Sequence, residues 1–501
     1  MEAPPVTPKV EDTPTGVTAH ESEVLLDRYQ RLMATGNPFV VLPDSTTAEA
    51  MLERRPVLLR AICTVAMAPN LKRQQALVKE LLRDIGVRIL VNNEKSLDIL
   101  QGIIVFVLWF YPHIFWTQQT TNLLHLAMAM ANDLAIDRLT INTNFGQQTV
   151  KVLHGKAAAT AAPSMEERRV LLGLFYVTSM LSASFRKMTA MSFTPYMDDC
   201  LEALETAREY DSDLFLVQMV RIQRTIESIH TTEPSSAPAK AHIKAFQHDI
   251  ERLRTTDPCR DDNVFLCMEY LTADILMWEI SLNALLDDRK RPITNHIEDL
   301  YRLVAALKSF FDVYFTIPPA AYLLLPFSVF GQFAHAFICL TKLASLDVEG
   351  WDLRAFNEVC NFSNFIDEAA ARYEETARTS IDGIPIENDA FTKWAARVRW
   401  MKQVYEAKFA EKDGEGSTAS GAQQEEKSVE AQEEQQQQQQ QSIQQTQQQQ
   451  PTPPDDILSA DIFTYWDDSF WQTFASEFDL GYTYPNAAAM DLPATIPPTA
   501  V

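Results

Sequence analysis

Glycine is scarce in this chain. Fourteen glycines are spread over 501 residues, and long segments run without glycine or proline. That argues against strands joined by tight turns and in favour of helices. Closely spaced cysteine pairs are absent as well. Cys63, Cys200, Cys259, Cys267, Cys339 and Cys360 form no CxxC, whereas a structural zinc site usually draws its ligands from such pairs, because a short loop must fold around one ion. The cysteines are read as buried free thiols in a reducing compartment, with no metal and no cofactor expected. Positive charge is not in excess either. The formal net charge is −24, and from Glu411 onward sixteen acidic residues stand against two basic ones. Sequence-independent binding to phosphates needs a cationic face, so direct DNA contact by this chain is not expected. Long apolar runs are also lacking. Residues 103–110 continue only to Trp116 and are broken by Pro112 and His113, short of the ~20 apolar residues of a membrane span. This stretch is read as a core helix. With no targeting pattern after Met1, a soluble intracellular protein without membrane contact is expected.

Catalytic signatures are missing too. Gly155-Lys156 looks like the end of a phosphate-binding loop, but Val150 replaces its leading glycine and Ala157 its hydroxyl residue. No GxGxxG, GxSxG or HExxH occurs, and the nine histidines are dispersed. His242 and His248, six apart, do not share a helical face.

What is present is helical periodicity. Leu300, Leu303, Val304, Leu307, Phe310 and Phe311 recur at three- and four-residue spacing, after an N-cap pattern of Asn295 with Glu298. Ser164 with Glu167 fits a capping box, followed by a stripe through Leu171, Leu174, Phe175 and Leu181 to Phe185. Residues 122–134 are apolar nearly all round and are predicted to lie in the interior. No fixed-period repeat appears, so one helical bundle is expected. The organisation read from this pattern is a disordered leader over 1–21 and an all-α regulatory domain over 22–410. A Gln/Glu-rich disordered linker over 411–454 and an acidic-aromatic segment over 455–501 follow it.

The helical region resembles the regulatory middle region of fungal binuclear-zinc-cluster transcription factors. Three separated segments carry the resemblance. The first holds Leu25-Leu26-Asp27-Arg28-Tyr29, Pro38 to Pro43, and Arg55 to Ile62; the second holds Ser96 to Gln101 and Leu123 to Arg138. The third runs from Glu166-Glu167-Arg168-Arg169 through Phe175-Tyr176 and Phe185-Arg186 to Pro195, Asp198 and Asp199. Phe185-Arg186-Lys187 stands where many members have a Gly-Arg-Pro turn. The family's six-cysteine zinc cluster has no counterpart, since no cysteine precedes Ser22. Either the protein has no such module or the module precedes the first residue.

The resemblance implies a nuclear transcriptional regulator of metabolic or secondary-metabolite genes, with DNA contact supplied by a partner protein or by that cluster, and it leaves room for a small-molecule effector. Two readings stand for Glu166 and Arg169: a solvated first turn with acids favourably near a helix N-terminus, or an ion-pair network inside the domain with a regulatory role. Arg289-Lys290-Arg291 is a weak import signal, flanked as it is by Asp287 and Asp288. In the tail, Phe470, Phe474 and Phe478 fall at four-residue spacing beside Trp466 and Trp471, interleaved with Asp467, Asp468, Glu477 and Asp479. Acids keep such a segment soluble while the aromatics serve as anchors for a transcriptional coactivator. The alternatives are a tail helix docked on the protein's own domain and, for the whole chain, an all-helical enzyme.

Overall fold

The computed structural model describes residues 17–110, 119–137, 163–185, 188–231, 239–257, 263–287, 296–346, 348–387 and 390–418. Their fold is all-α. Among the described residues, strands are limited to the antiparallel pair β1 (Ser380–Ile381) and β2 (Ile384–Pro385). The leader before residue 17, the Gly155-Lys156 loop, Asn295, the Arg289–Arg291 cluster and the tail beyond 418 lie outside the described residues.

Most of the N-terminal helices begin at a side chain that satisfies otherwise orphaned backbone donors. Helix α1 (Ala19–Arg28) starts at a capping box formed by Thr18 and Glu21. Val17 before it is fully buried, so ordered structure begins ahead of the expected Ser22. Thr47 caps α2 (Ala48–Arg54), Asn70 caps α4 (Leu71–Gly86) and Ser96 caps α5 (Leu97–Trp109). Helix α3 (Pro56–Ala66) opens on Pro56, and its first donors are met from across the packing interface. Asp98 of α5 accepts from the amides of Val57 and Leu58 at 3.1 and 2.8 Å.

Helix α6 (Gln119–Asp133) corrects an expectation. Leu123, Leu124, Ala127, Met130 and Ala131 are buried, but Asn122, His125, Ala129 and Asn132 are exposed. Composition made it look apolar all round; the small and polar residues gather on one face. Helix α7 (Met165–Phe185) has the expected capping box, with Ser164 Oγ accepting from the Glu167 amide at 3.2 Å and Glu167 accepting from the Ser164 amide at 2.7 Å. Then come α8 (Pro195–Ala207), α9 (Ser212–His230), α10 (Ala239–Thr256), α11 (Val264–Asp287) and α12 (Ile297–Tyr314). The predicted stripe of α12, Leu300 to Phe311, is buried throughout. The chain ends its described course with α13 (Phe327–Ala344), α14 (Leu353–Val359), α15 (Phe362–Arg378) and α16 (Ala390–Thr418). Among the described residues, α13 is long and apolar enough to cross a membrane, but 78% of it is buried inside the fold, as in a core helix.

Helix α7 is the axis of the packing, touching α5, α6, α8, α9 and α13; α11 plays the same part for α9, α10, α12 and α13. The two ends of the domain are clasped together. The buried Arg28 donates to Asp382 in the β1–β2 turn at 2.9 Å and to the Ala66 carbonyl at 2.6 Å, and Arg31 adds a second bond to Asp382 at 2.9 Å.

One residue of α7 has no room for a side chain. A Cβ on Gly173 would lie 2.6 Å from Cβ and 2.7 Å from Cγ of Phe39, whose ring packs on Tyr176 at 5.1 Å. Gly173→Ala is therefore expected to lower the unfolding free energy by about 1–3 kcal/mol through overpacking. Urea titration measures this, and a midpoint equal to wild type would contradict the packing described.

Candidate functional site

The first turn of α7 carries the charged run Glu166–Arg169, and each residue takes a different partner. Glu166 points toward the N-terminal helices. Both its oxygens pair with the Arg55 guanidinium, the Nη2–Oε2 bond being 2.9 Å, and Oε1 also accepts from Gln101 at 2.9 Å. Arg55, Gln101 and Glu166 come from the three separated segments of the family resemblance, so the fold brings all three to one carboxylate. Glu167 is spent on the helix cap. Arg168 donates to the Pro163 carbonyl at 3.2 Å and lies over the Tyr196 ring at 5.8 Å.

Arg169 points the other way, into the protein. Its side chain is 4% exposed and that of Asp213, at the start of α9, 1%. The pair is bidentate at 2.7 and 2.9 Å, with Glu209 adding a bond at 3.0 Å and the Tyr210 ring lying 4.7 Å from the guanidinium. Burial pulls the Arg169 pKa down, but Asp213 and Glu209 outweigh it and the net direction is upward. The solvated-turn reading fails for Arg169, whose side chain is 4% exposed, whereas Glu166, Glu167 and Arg168 are only half-buried and keep contact with solvent.

The remaining motif positions are structural neighbours of this node. Pro195 opens α8, where its missing amide costs nothing. Asp198 pairs with Arg224 of α9 at 2.8 Å, and the Arg224 guanidinium lies 4.2 Å from the Phe193 ring. Asp199 is exposed. Phe185 closes α7, but its side chain, Arg186, and the tail anchors Trp466, Phe470, Trp471, Phe474 and Phe478 lie outside the described residues.

Two further polar centres, on α11, were not singled out from the sequence. Glu269 is buried against Tyr176 of α7, whose hydroxyl donates to it. Glu279 is buried between His335 at 2.9 Å and Lys342 at 2.9 Å, both on α13. Burial raises the Glu279 carboxyl, yet Lys342 and His335 overcome this and hold it well below the usual range. The available signal was local: each is an acid standing in a mainly apolar helix, where an acid needs a partner.

A family model described as the WAR1 C-terminal domain matches residues 13–288, and a second, described as a C-terminal domain, matches residues 319–463. "Transcription factor opdL" of Penicillium oxalicum is 26% identical over 417 residues, covering 77% of this chain and 72% of its own length. "Transcription factor himD" of Aspergillus japonicus is 30% identical over 314 residues, covering 60% and 52%. "Transcriptional regulator WAR1" of Candida albicans is 19% identical over 372 residues, covering 70% and 39%. The chain thus spans about half or less of the length of the last two. No solved structure matches. The class is that of fungal transcription-factor regulatory regions. Within it, the chain belongs to the WAR1 C-terminal domain family.

Burial pushes the Glu269 carboxyl up to about 7, against hydrogen bonds from Tyr176 and Gln332 that favour its charged form. An unfolded glutamate ionises near 4.5, so between these values the native state holds more protons than the unfolded one. The stability tied to this proton is complete below about 4.5 and lost as pH rises through about 7. The loss is on the order of 3 kcal/mol. Glu269→Gln is expected to remove that decline, so that above neutrality the variant outlasts wild type in urea. A variant that tracks wild type across the whole pH range would contradict this.

Proposed function

We propose that this chain is the regulatory and activating part of a nuclear transcription activator and works without catalysis. The helical domain restrains, and the acidic-aromatic segment 455–501 recruits a transcriptional coactivator. DNA contact comes from a partner protein or from a zinc cluster ahead of residue 1. The target genes are of the metabolic or secondary-metabolite kind, and a small-molecule effector acting on the helical domain fits the same scheme. The observation that carries the reading is the tail: in a chain of this family, Phe470, Phe474 and Phe478 recur at four-residue spacing among acids. The charge of −24 supports the absence of direct DNA binding.

The mechanism is coupled folding and binding. Residues Trp466, Phe470, Trp471, Phe474 and Phe478 form the anchoring face of a helix induced by the coactivator groove. Each buried aromatic contributes roughly 1.5–3 kcal/mol, so losing two weakens binding by about tenfold or more even after ordering costs. Asp467 and Asp468 act chiefly on association rate and salt sensitivity. With the chain fused to a heterologous DNA-binding domain, Phe470→Ala with Phe474→Ala is expected to nearly abolish reporter activation. Asp467→Asn with Asp468→Asn should cost less, and scrambling residues 435–441 should change almost nothing. Full activity in the aromatic double variant would reduce the tail to a linker or a self-docking helix.

A further inference from the structure

Three groups with metal-binding atoms meet between α11 and α13. His335 and Cys339 stand one helical turn apart on α13, so they share a face, and Glu279 reaches them from α11. Cys339 Sγ is 3.7 Å from His335 Nε2, which is 2.9 Å from Glu279 Oε2. All three donor atoms lie within 4.8 Å of one another. We infer that Glu279, His335 and Cys339 form a binding site for a zinc-class divalent cation.

The donor set selects the ion. One thiolate, one imidazole and one carboxylate suit a borderline-soft cation such as Zn²⁺ and not the hard, oxygen-seeking Mg²⁺ or Ca²⁺. Donors around tetrahedral zinc stand roughly 3.3–3.6 Å apart. The sulfur–nitrogen edge, at 3.7 Å, must close by about 0.1 Å or more, and the nitrogen–oxygen edge, at 2.9 Å, must open by a few tenths of an ångström. Three protein ligands leave a fourth position for water or an outside ligand.

The surroundings orient these ligands. Lys342 donates to Glu279 Oε1 at 2.9 Å and to Asn283 Oδ1 at 3.3 Å. This leaves the other carboxylate oxygen facing His335 and Cys339, the arrangement in which an outer partner fixes a ligand's direction. A divalent cation balances the thiolate and the carboxylate, and the Lys342 ammonium beside Glu279 leaves the loaded cluster at a net charge of +1. Glu279 and Cys339 are buried, while His335 is 17% and Lys342 26% exposed at the side chain, which gives an ion a path from the surface. Binding replaces the Cys339 thiol proton with the metal, and that proton leaves to solvent.

Sequence spacing does not reveal such a site. Its cysteine has no CxxC partner, and its glutamate lies 56 residues from its histidine.

Cobalt(II) titration of the full chain, stripped beforehand with a chelator, tests the inference. One equivalent per chain is expected, with a sulfur-to-cobalt charge-transfer band that zinc then abolishes by displacement. Cys339→Ala should remove the band, and His335→Gln should weaken binding at least about tenfold, each with far-ultraviolet circular dichroism unchanged. Cys360→Ala, at a buried thiol elsewhere, should leave the band intact. Should Cys339→Ala fail to fold, Cys339→Ser under the same titration replaces it. No sulfur band in the wild-type chain, or a band that survives the loss of Cys339, would overturn the site and leave an ordinary buried ion-pair cluster.

Discussion

The first turn of α7 is held from two sides by opposite charges, and the rest of the domain is arranged around that clamp. Glu166 is gripped by Arg55 and Gln101 from the N-terminal helices, while Arg169, three residues on, is gripped by Asp213 from α9. The two sides differ in physics. Arg55 and Glu166 are each about a third exposed, so solvent screens their attraction and the pair contributes little to stability. Arg169 and Asp213 are out of water. There the desolvation cost of the charges roughly offsets their attraction, but separating them leaves a buried charge without compensation. Such a pair adds little when made and costs much when broken, so it penalises any packing of α7 on α9 other than the one observed.

The same device recurs along the packing axes. Glu269 meets Tyr176 where α11 approaches α7, and Glu279 meets Lys342 and His335 where α11 crosses α13. Arg28 meets Asp382 where the beginning of the domain returns to its end. Between these points the interfaces are apolar and close-packed, with Phe39 seated directly on Gly173. Apolar packing drives collapse, and the buried polar pairs add a cost to any seating of the helices that would separate their partners.

How much of this was legible in the sequence depended on the distance between the partners. The stripe of α12 and the Ser164–Glu167 cap could be read because each is settled within a few residues. The apolar stretch 122–134 lies mostly within α6, but its face was not legible: composition reports how apolar a helix is, not which neighbour covers it, and Asn122 and Asn132 lie on the open side. Arg169 was recognised as a motif position, yet its partner is 44 residues away and only the fold brings them together. Glu269, Glu279 and His335 carry no sequence signal of their partners for the same reason, and Cys339 reads from the sequence only as a buried thiol. Each is ordinary in its own helix and becomes a centre only when two helices meet.

The central claim is that the Arg169–Asp213 pair specifies the seating of α7 on α9, and a double-mutant cycle in urea tests it most directly. Arg169→Met is expected to lose about 3–5 kcal/mol of stability, because it strands the buried Asp213, and Asp213→Ala less, because Glu209 still pairs with Arg169. The double variant strands neither, so its loss should fall short of the sum of the singles by at least about 1 kcal/mol. Losses that add to within about 0.5 kcal/mol would show the two residues acting independently and would contradict the account.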